Sequence, residues 1–289
     1  MEWKTRVTDL LGCKYPILQG AIVRLGDWRF AAAVADAGAW GTITASASNT
    51  PEKLRDDIRS CRKATAGSFG VNLTIGICPR IEEMLEVCIE EKVTVETSAY
   101  KPDALAPRIK QAGLKWIHKA ARVKDAVHAQ EFGPDAIILV GLEGAGLKSS
   151  EQLPTMTTIL WGRKSISGPL IAAGGIGDAH GFLGALGLGA DGIMMGSAFL
   201  VTKECRISDE AKGRIIKLDP GNPDLRKFVM TGAQDRSGPI PGTEEMDWAR
   251  AVSFASTYAD RIPTVKELIE GIVTGAEQIL DSWQFLKNR

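Results

Sequence analysis

Short apolar runs of strand length alternate with amphipathic stretches as far as about residue 205. The first run is residues 16–20 (Pro-Ile-Leu-Gln-Gly), followed by a helical stretch at 28–37. Residues 40–43 come next, with a helix opened by Asn49-Thr50-Pro51, where proline suits an early helical position. The pairs continue with 68–73 and 79–91, 93–96 and 102–111, 115–118 and 123–131. Residues 136–140 lead into a glycine loop and a helix near 156–163, and 169–172 into 178–188. The last pair is 192–195 and 198–203. Each run is bounded by Gly, Pro or polar residues, as strands are. A parallel strand needs a crossover before its neighbour, so eight such units in series predict a closed (β/α)8 TIM barrel of the α/β class. An open doubly wound sheet generally stops at about five or six strands.

Residues 206–289 read differently: mostly helical, with charged faces, Pro/Gly loops near 219–223 and 236–242, and an amphipathic helix at 265–286. The expected organisation is a barrel over 1–205 and a small helical extension over 206–289 that completes the substrate site. Trp283 and Phe285 on that extension could cover the barrel mouth or a partner subunit in a homo-oligomer.

Composition narrows the class. Lys+Arg and Asp+Glu balance at 35 each, so no basic excess points to nucleic acid. No apolar run approaches the ~20 residues of a membrane span, and residues 1–9 lack a signal-peptide core. The five cysteines are scattered without a CxxC pair, which argues against a disulfide framework or a zinc or other metal site and fits reduced thiols in the cytoplasm.

In a barrel of this kind the chemistry sits on the loops after the strands. The loops after the seventh and eighth runs carry Gly174-Gly175 and Gly196-Ser197. Two adjacent glycine loops, one leading into a helix that starts at Asp178, favour a phosphate site over mere tight turns. Lys119 closes an apolar strand and is expected to face the site; alternation then turns His118 away. His128 and His180 read as surface residues. Two short look-alikes fail: residues 144–149 lack the third glycine of a dinucleotide turn, and in residues 141–149 Leu147 separates Gly146 from the Lys148-Ser149 pair that a P-loop needs.

The runs Tyr15-Pro-Ile-Leu-Gln-Gly20, Gly70-Val-Asn-Leu73, Ile117-His-Lys119, Gly141-x-Glu-Gly-Ala-Gly146, Ile171-Ala-Ala-Gly-Gly-Ile176 and Met195-Gly-Ser197, with the Ala/Gly-rich stretch at 32–43, together resemble one family. It is the nitronate monooxygenase (2-nitropropane dioxygenase-like) family of FMN barrels, which also holds FMN-dependent enoyl-acyl-carrier-protein reductases and NAD(P)H:quinone reductases. The likeness spans about residues 10–205. It implies FMN as prosthetic group, with Gly20, Ala21 and Ile22 against the isoalloxazine and Asn72 or Thr74 nearby. Lys119 would lie at the ring's N1–C2 edge or the ribityl chain, and Ala145, Gly174, Gly175, Gly196 and Ser197 at the phosphate end.

One position departs from the pattern. The loop after the sixth strand in this family carries a histidine that moves protons, and here that position is Leu147. Leucine cannot take a proton from a nitroalkane. Glu143, Lys148, Cys78 or a substrate-bound water could supply one, and Glu143 could equally be structural. The expected function is therefore an FMN-dependent oxidoreductase, reduced by NAD(P)H, that passes a hydride to a small electrophile such as an enoyl thioester or a quinone. The alternatives are oxidation of alkyl nitronates by O2, a non-redox phosphate-ligand barrel, and a degenerate barrel without catalysis.

Overall fold

The computed structural model describes residues 1–146, 149, 151–231 and 251–283. Eight strands build the barrel: β1 (Ile17–Gln19), β2 (Gly41–Thr44), β3 (Phe69–Thr74), β4 (Thr94–Ser98), β5 (Trp116–Ala120), β6 (Ala136–Val140), β7 (Leu170–Ala173) and β8 (Gly192–Met195). All pair in parallel in the order β1-β8-β7-β6-β5-β4-β3-β2.

The seam between β1 and β2 closes in an unusual way. Only one bridge, Leu18 with Trp40, joins them as strands. Beyond it a side chain replaces a backbone rung: Thr42 N–H donates to Gln19 Oε1 at 2.9 Å, and Thr42 Oγ1–H to the Gln19 carbonyl at 2.5 Å. Both residues are fully buried. Gln19→Leu is expected to strand the Thr42 amide and cost about 1–3 kcal/mol. An unchanged urea midpoint in that variant would show that the seam does not depend on the amide.

Helix α1 (Arg6–Leu11) plugs the N-terminal end of the barrel. The interior it closes is small and apolar: Val7, Leu11, Leu18, Trp40, Ile117, Ile138, Ile171 and Met194 form one buried cluster. Trp40 fits there because β3 carries Gly70 opposite it; a Cβ on Gly70 would lie 2.3 Å from Trp40 Cζ2. Outside the wall pack α2 (Trp28–Asp36), α4 (Pro51–Ala64), α5 (Ile81–Glu90), α6 (Ala106–Gln111), α7 (Val123–Gln130), α8 (Thr155–Ser165) and α9 (Ala179–Gly187), with the single turn α3 (Ala45–Ser48) between β2 and α4.

Two strands run further than the hydrophobic pattern indicates. The pattern ends them at Glu96 and His118, whereas they continue to Ser98 and Ala120. The polar residues belong to the strands because they satisfy one another. Thr97 Oγ1 accepts Trp116 Nε1–H at 2.8 Å and lies 2.8 Å from His118 Nδ1 on the outer face, while Ser98 Oγ accepts from Asn72 Nδ2 at 3.0 Å on the inner face.

After β8 the chain makes only the turn α10 (Ser197–Leu200), then α11 (Asp209–Ile216) and α12 (Pro223–Met230). The outer ring is completed by α13 (Val265–Ser282), which packs on α9 and α2. Thr264 and Glu267 open it with a capping box, and Ile269, Ile272, Val273 and Ala276 form its buried stripe. The segment expected as an extension thus supplies an outer helix of the barrel itself. Trp283 is partly exposed after α13; Phe285 lies outside the described residues. Among the described residues no helix is long and apolar enough to cross a membrane.

Candidate functional site

Strand alternation decides what faces the barrel mouth. On β5, Trp116 and His118 turn outward and Ile117 and Lys119 inward; register then sets Asn72 of β3 beside Glu96 of β4 and Ser98 beside Lys119. Thr74 Oγ1–H donates to Asn72 Oδ1 at 2.6 Å, and Ser98 Oγ accepts from Asn72 Nδ2, so three polar side chains lock one another. Lys119 Nζ stands 3.8 Å from Glu96 Oε1, with the lysine side chain 23% exposed and the glutamate fully buried. Burial pushes the Glu96 carboxyl above the ordinary carboxylate value, while the Lys119 charge and the Asn72 amide pull against that rise. Neither Glu96 oxygen has a hydrogen-bond partner among the described residues; the same holds for the buried atoms Gln19 Nε2 and Ser46 Oγ. Buried polar atoms without partners are uncommon in folded proteins, and these four lie on β1, just after β2, and on β4.

The glycine loops lie on the other side of the mouth. Gly174 and Gly175 follow β7 with φ of +104° and +70°, a backbone path that any side chain would strain. A Cβ on Gly174 would fall 2.9 Å from the Gly141 carbonyl, and one on Gly175 would fall 2.9 Å from Glu143 Cβ. Gly20 N–H donates to the Met195 carbonyl at 2.7 Å, and a Cβ there would sit 3.3 Å from Gly196 Cα. Around Gly196 itself the space is open.

Several candidates are committed elsewhere. Ile22 does not present its backbone to the site: its N–H donates to Thr44 Oγ1 at 3.2 Å, its carbonyl accepts from Leu25 and Gly26, and its side chain is buried. Ser197 offers no hydroxyl donor to a phosphate, because Oγ–H donates to the Ala251 carbonyl at 2.7 Å; what this loop can present is main chain. Asp178 caps α9 with its own carboxylate, taking Gly181 N–H at 2.7 Å. Glu143 is a helix cap in trans: Oε2 accepts Thr155 N–H at 2.8 Å and Thr155 Oγ1–H at 2.7 Å, at a helix start where Pro154 has no side-chain acceptor. Ala145 is half-buried in the same loop, and Leu147 and Lys148 lie outside the described residues. The Cys78 thiol is pushed up to about 11 by burial, so it holds its proton at neutral pH.

Glu96 and Ser98 belong to the site although the hydrophobic pattern does not single them out. A carboxylate at the C-terminal end of an otherwise apolar barrel strand was the available signal for Glu96.

A model of the nitronate monooxygenase family matches residues 4–84 and 77–231. The chain belongs to the nitronate monooxygenase family. Probable nitronate monooxygenases of Staphylococcus aureus strains JH9 and MSSA476 are 32% and 31% identical over 257 residues, covering 74% of this chain and 72% of theirs. FabK from Thermotoga maritima superposes with a TM-score of 0.84 at 29% identity, over 98% of this chain and 99% of that one. A nitroalkane oxidase from Streptomyces ansochromogenes shares the fold, with a TM-score of 0.76 at 20% identity over 96% of this chain and 100% of that one. Membership makes the protein an oxidoreductase, and the site can be tested against the family's FMN.

The residues present fit that group. A buried carboxylate without hydrogen-bond partners, a lysine and a locked asparagine line one side of the mouth, as a heteroaromatic ring with polar edges requires. On the other side, glycine backbone with positive φ and open space at Gly196 leaves amides free of side-chain cover, as a phosphate requires.

Proposed function

We propose that this protein is an FMN-dependent oxidoreductase that accepts a hydride from NAD(P)H and passes it to a small electrophile, an enoyl thioester or a quinone. The observation that carries the reading is that, among the described residues, the candidate proton carriers of the loops are committed elsewhere and the one free carboxyl at the mouth, Glu96, is paired with a fixed cation. Leu147 replaces the proton-moving histidine, Glu143 is occupied as a cap, and Cys78 keeps its proton, while Lys119 stays in place against Glu96. Such a site is poor at abstracting a proton from carbon and suited to stabilising negative charge.

Bound FMN would supply the carrier for two electrons. Gly20 and Ala21 would offer backbone to the ring, Asn72 and Lys119 would meet its polar edge, and Gly174, Gly175 and Gly196 would hold the phosphate. Thr74 and Ser98 keep the Asn72 amide oriented, and Glu96 holds the Lys119 ammonium on the inner face. Segment 251–257 packs on the β7 and β8 loops through Ala251 and Ala255 and so shields the phosphate end from water.

The protein purified with FMN is expected to be yellow and to bleach without oxygen on addition of NADH or NADPH. An enoyl-thioester reductase then consumes a crotonyl thioester at the expense of NAD(P)H, and a quinone reductase turns over without thioester. Oxygen uptake with an alkyl nitronate in the absence of NAD(P)H would overturn the hydride-transfer reading in favour of nitronate oxidation. Protein that stays colourless after incubation with FMN would overturn the flavin reading as a whole.

A further inference from the structure

Glu96 is the charged group at the mouth whose presence the arrangement above leaves unexplained. It lies on the inner face of β4, fully buried, and neither carboxyl oxygen has a hydrogen-bond partner among the described residues. Burying an ionised carboxylate without hydrogen bonds is unfavourable, and the proton-bound form suits such a place better.

Little else nearby sets its charge. The Asn72 amide of β3 is locked between Thr74 and Ser98. Beneath the mouth the barrel is filled by Leu18, Trp40, Ile117, Ile138, Ile171 and Met194, none of which titrates. Among the described residues the Lys119 ammonium of β5, 3.8 Å from Oε1, is the titratable group that acts on Glu96. Two opposed tendencies therefore meet in the carboxyl. Burial favours its proton-bound form, and the ammonium favours its ionised form.

One ammonium neutralises one anion. The lysine side chain is 23% exposed and so can be reached from the mouth, whereas Glu96 is sealed behind it. A negative charge brought to Lys119 from the mouth competes with Glu96 for the same cation. Once that cation is engaged, burial acts on the carboxyl with less opposition, and its affinity for a proton rises.

On the FMN reading given above, on which this inference rests, reduction of the flavin supplies that negative charge. We propose that Glu96 is a positioning residue acting through Lys119: it takes up one proton when bound FMN is reduced, leaving Lys119 to the reduced flavin's charge above a neutral carboxyl. The account balances. FMN takes two electrons and one proton, forming N5–H and the reduced anion, and a second proton forms an O–H bond on Glu96. The electrons come from NAD(P)H as hydride, or from an electrode. The second proton comes from solvent by way of the partly exposed ammonium: an N–H of Lys119 breaks as the Glu96 O–H forms, and Nζ regains a proton from water.

Mediated spectroelectrochemistry of the FMN-loaded protein from pH 5 to 9 counts the protons without NAD(P)H or any substrate. Over the interval in which Glu96 titrates, the wild-type midpoint potential is expected to fall more steeply than that of Glu96→Gln. The difference should be about 30 mV per pH unit, the value of a tenfold change in a two-electron equilibrium. The two potentials should converge toward the acid end, where the carboxyl is neutral in both redox states, and the Gln variant should become the more positive as pH rises. The wild-type infrared difference spectrum, reduced minus oxidised, should gain a protonated-carboxyl band that shifts in D2O and is missing from Glu96→Gln. Yellow protein whose potentials run parallel in wild type and Glu96→Gln, or a wild-type spectrum without that band, would overturn the proposal while leaving the flavin reading intact. The wild-type spectrum decides the matter alone where Glu96→Gln fails to fold. Protein that stays colourless with FMN fails at the flavin reading itself and overturns both.

Discussion

Lys119→Met is expected to lower FMN affinity at least about tenfold and to cost about 2 kcal/mol of stability. The second figure lies below the ~3–5 kcal/mol seen when one partner of a fully buried pair is removed, because the lysine side chain is 23% exposed and Glu96 can take up a proton. The pH dependence separates this account from a general packing loss. Glu96 has a folded-state pKa above its ordinary value of 4.5. Its neutral form is the favoured one in the fold, so that contribution is complete at acid pH and is lost as pH rises through the raised pKa. Removing the neighbouring ammonium raises that pKa further. The Lys119→Met variant should therefore lose more stability relative to wild type at pH 8 than at pH 5. Glu96→Gln has no carboxyl to ionise and should gain on wild type over the same interval, and the double variant should recover much of what Lys119→Met loses. Urea midpoints at the two pH values, with flavin content by absorbance, measure all of this. A Lys119→Met protein that stays yellow and shows the same deficit at both pH values would remove the pair from the site.

The strand–helix rhythm is legible in the sequence because parallel strands buried on both faces must be apolar runs, and each needs a crossover. The inward direction of Lys119 follows from the same alternation. What the hydrophobic pattern hides is polar structure that pairs across strands. Glu96 and Ser98 lie at the end of a strand whose apolar run stops early, and the reason the strand continues is a set of hydrogen bonds to Trp116, His118 and Asn72 that lie 19 to 26 residues away in sequence. The ring's last helix is hidden for a similar reason. The residues directly after β8 have helical character, yet α10 is one turn, and α13 takes the outer position only because its apolar stripe meets α9 and α2 in space. Ser197 and Ile22 are legible as loop residues after strands, but which of their groups stay free depends on contacts with Ala251 and Thr44, and no local motif encodes these.

Glu143→Ala should be the most destabilising change in the β6 loop, at about 2 kcal/mol. The carboxylate accepts the Thr155 amide and hydroxyl, and that hydroxyl lies 2.9 Å from the Gly174 carbonyl, so one side chain joins the start of α8 to the glycine turn after β7. The alanine variant leaves the Thr155 amide unpaired at a helix start that Pro154 cannot cap, and it frees the Gly174 turn. Flavin retention should fall with it, through the phosphate end rather than the ring. Glu143→Gln keeps an acceptor oxygen in the same place and should lose only about 1 kcal/mol, since a neutral acceptor replaces a charged one. The same variant discriminates the two roles a carboxylate could play here. A cap needs a lone pair and a proton donor needs an ionisable group, so turnover in Glu143→Gln should remain within a few-fold of wild type with an unchanged pH profile. A loss of more than a hundredfold in kcat, with stability and flavin content preserved, would make Glu143 the proton donor and would require its bond to Thr155 to break during turnover.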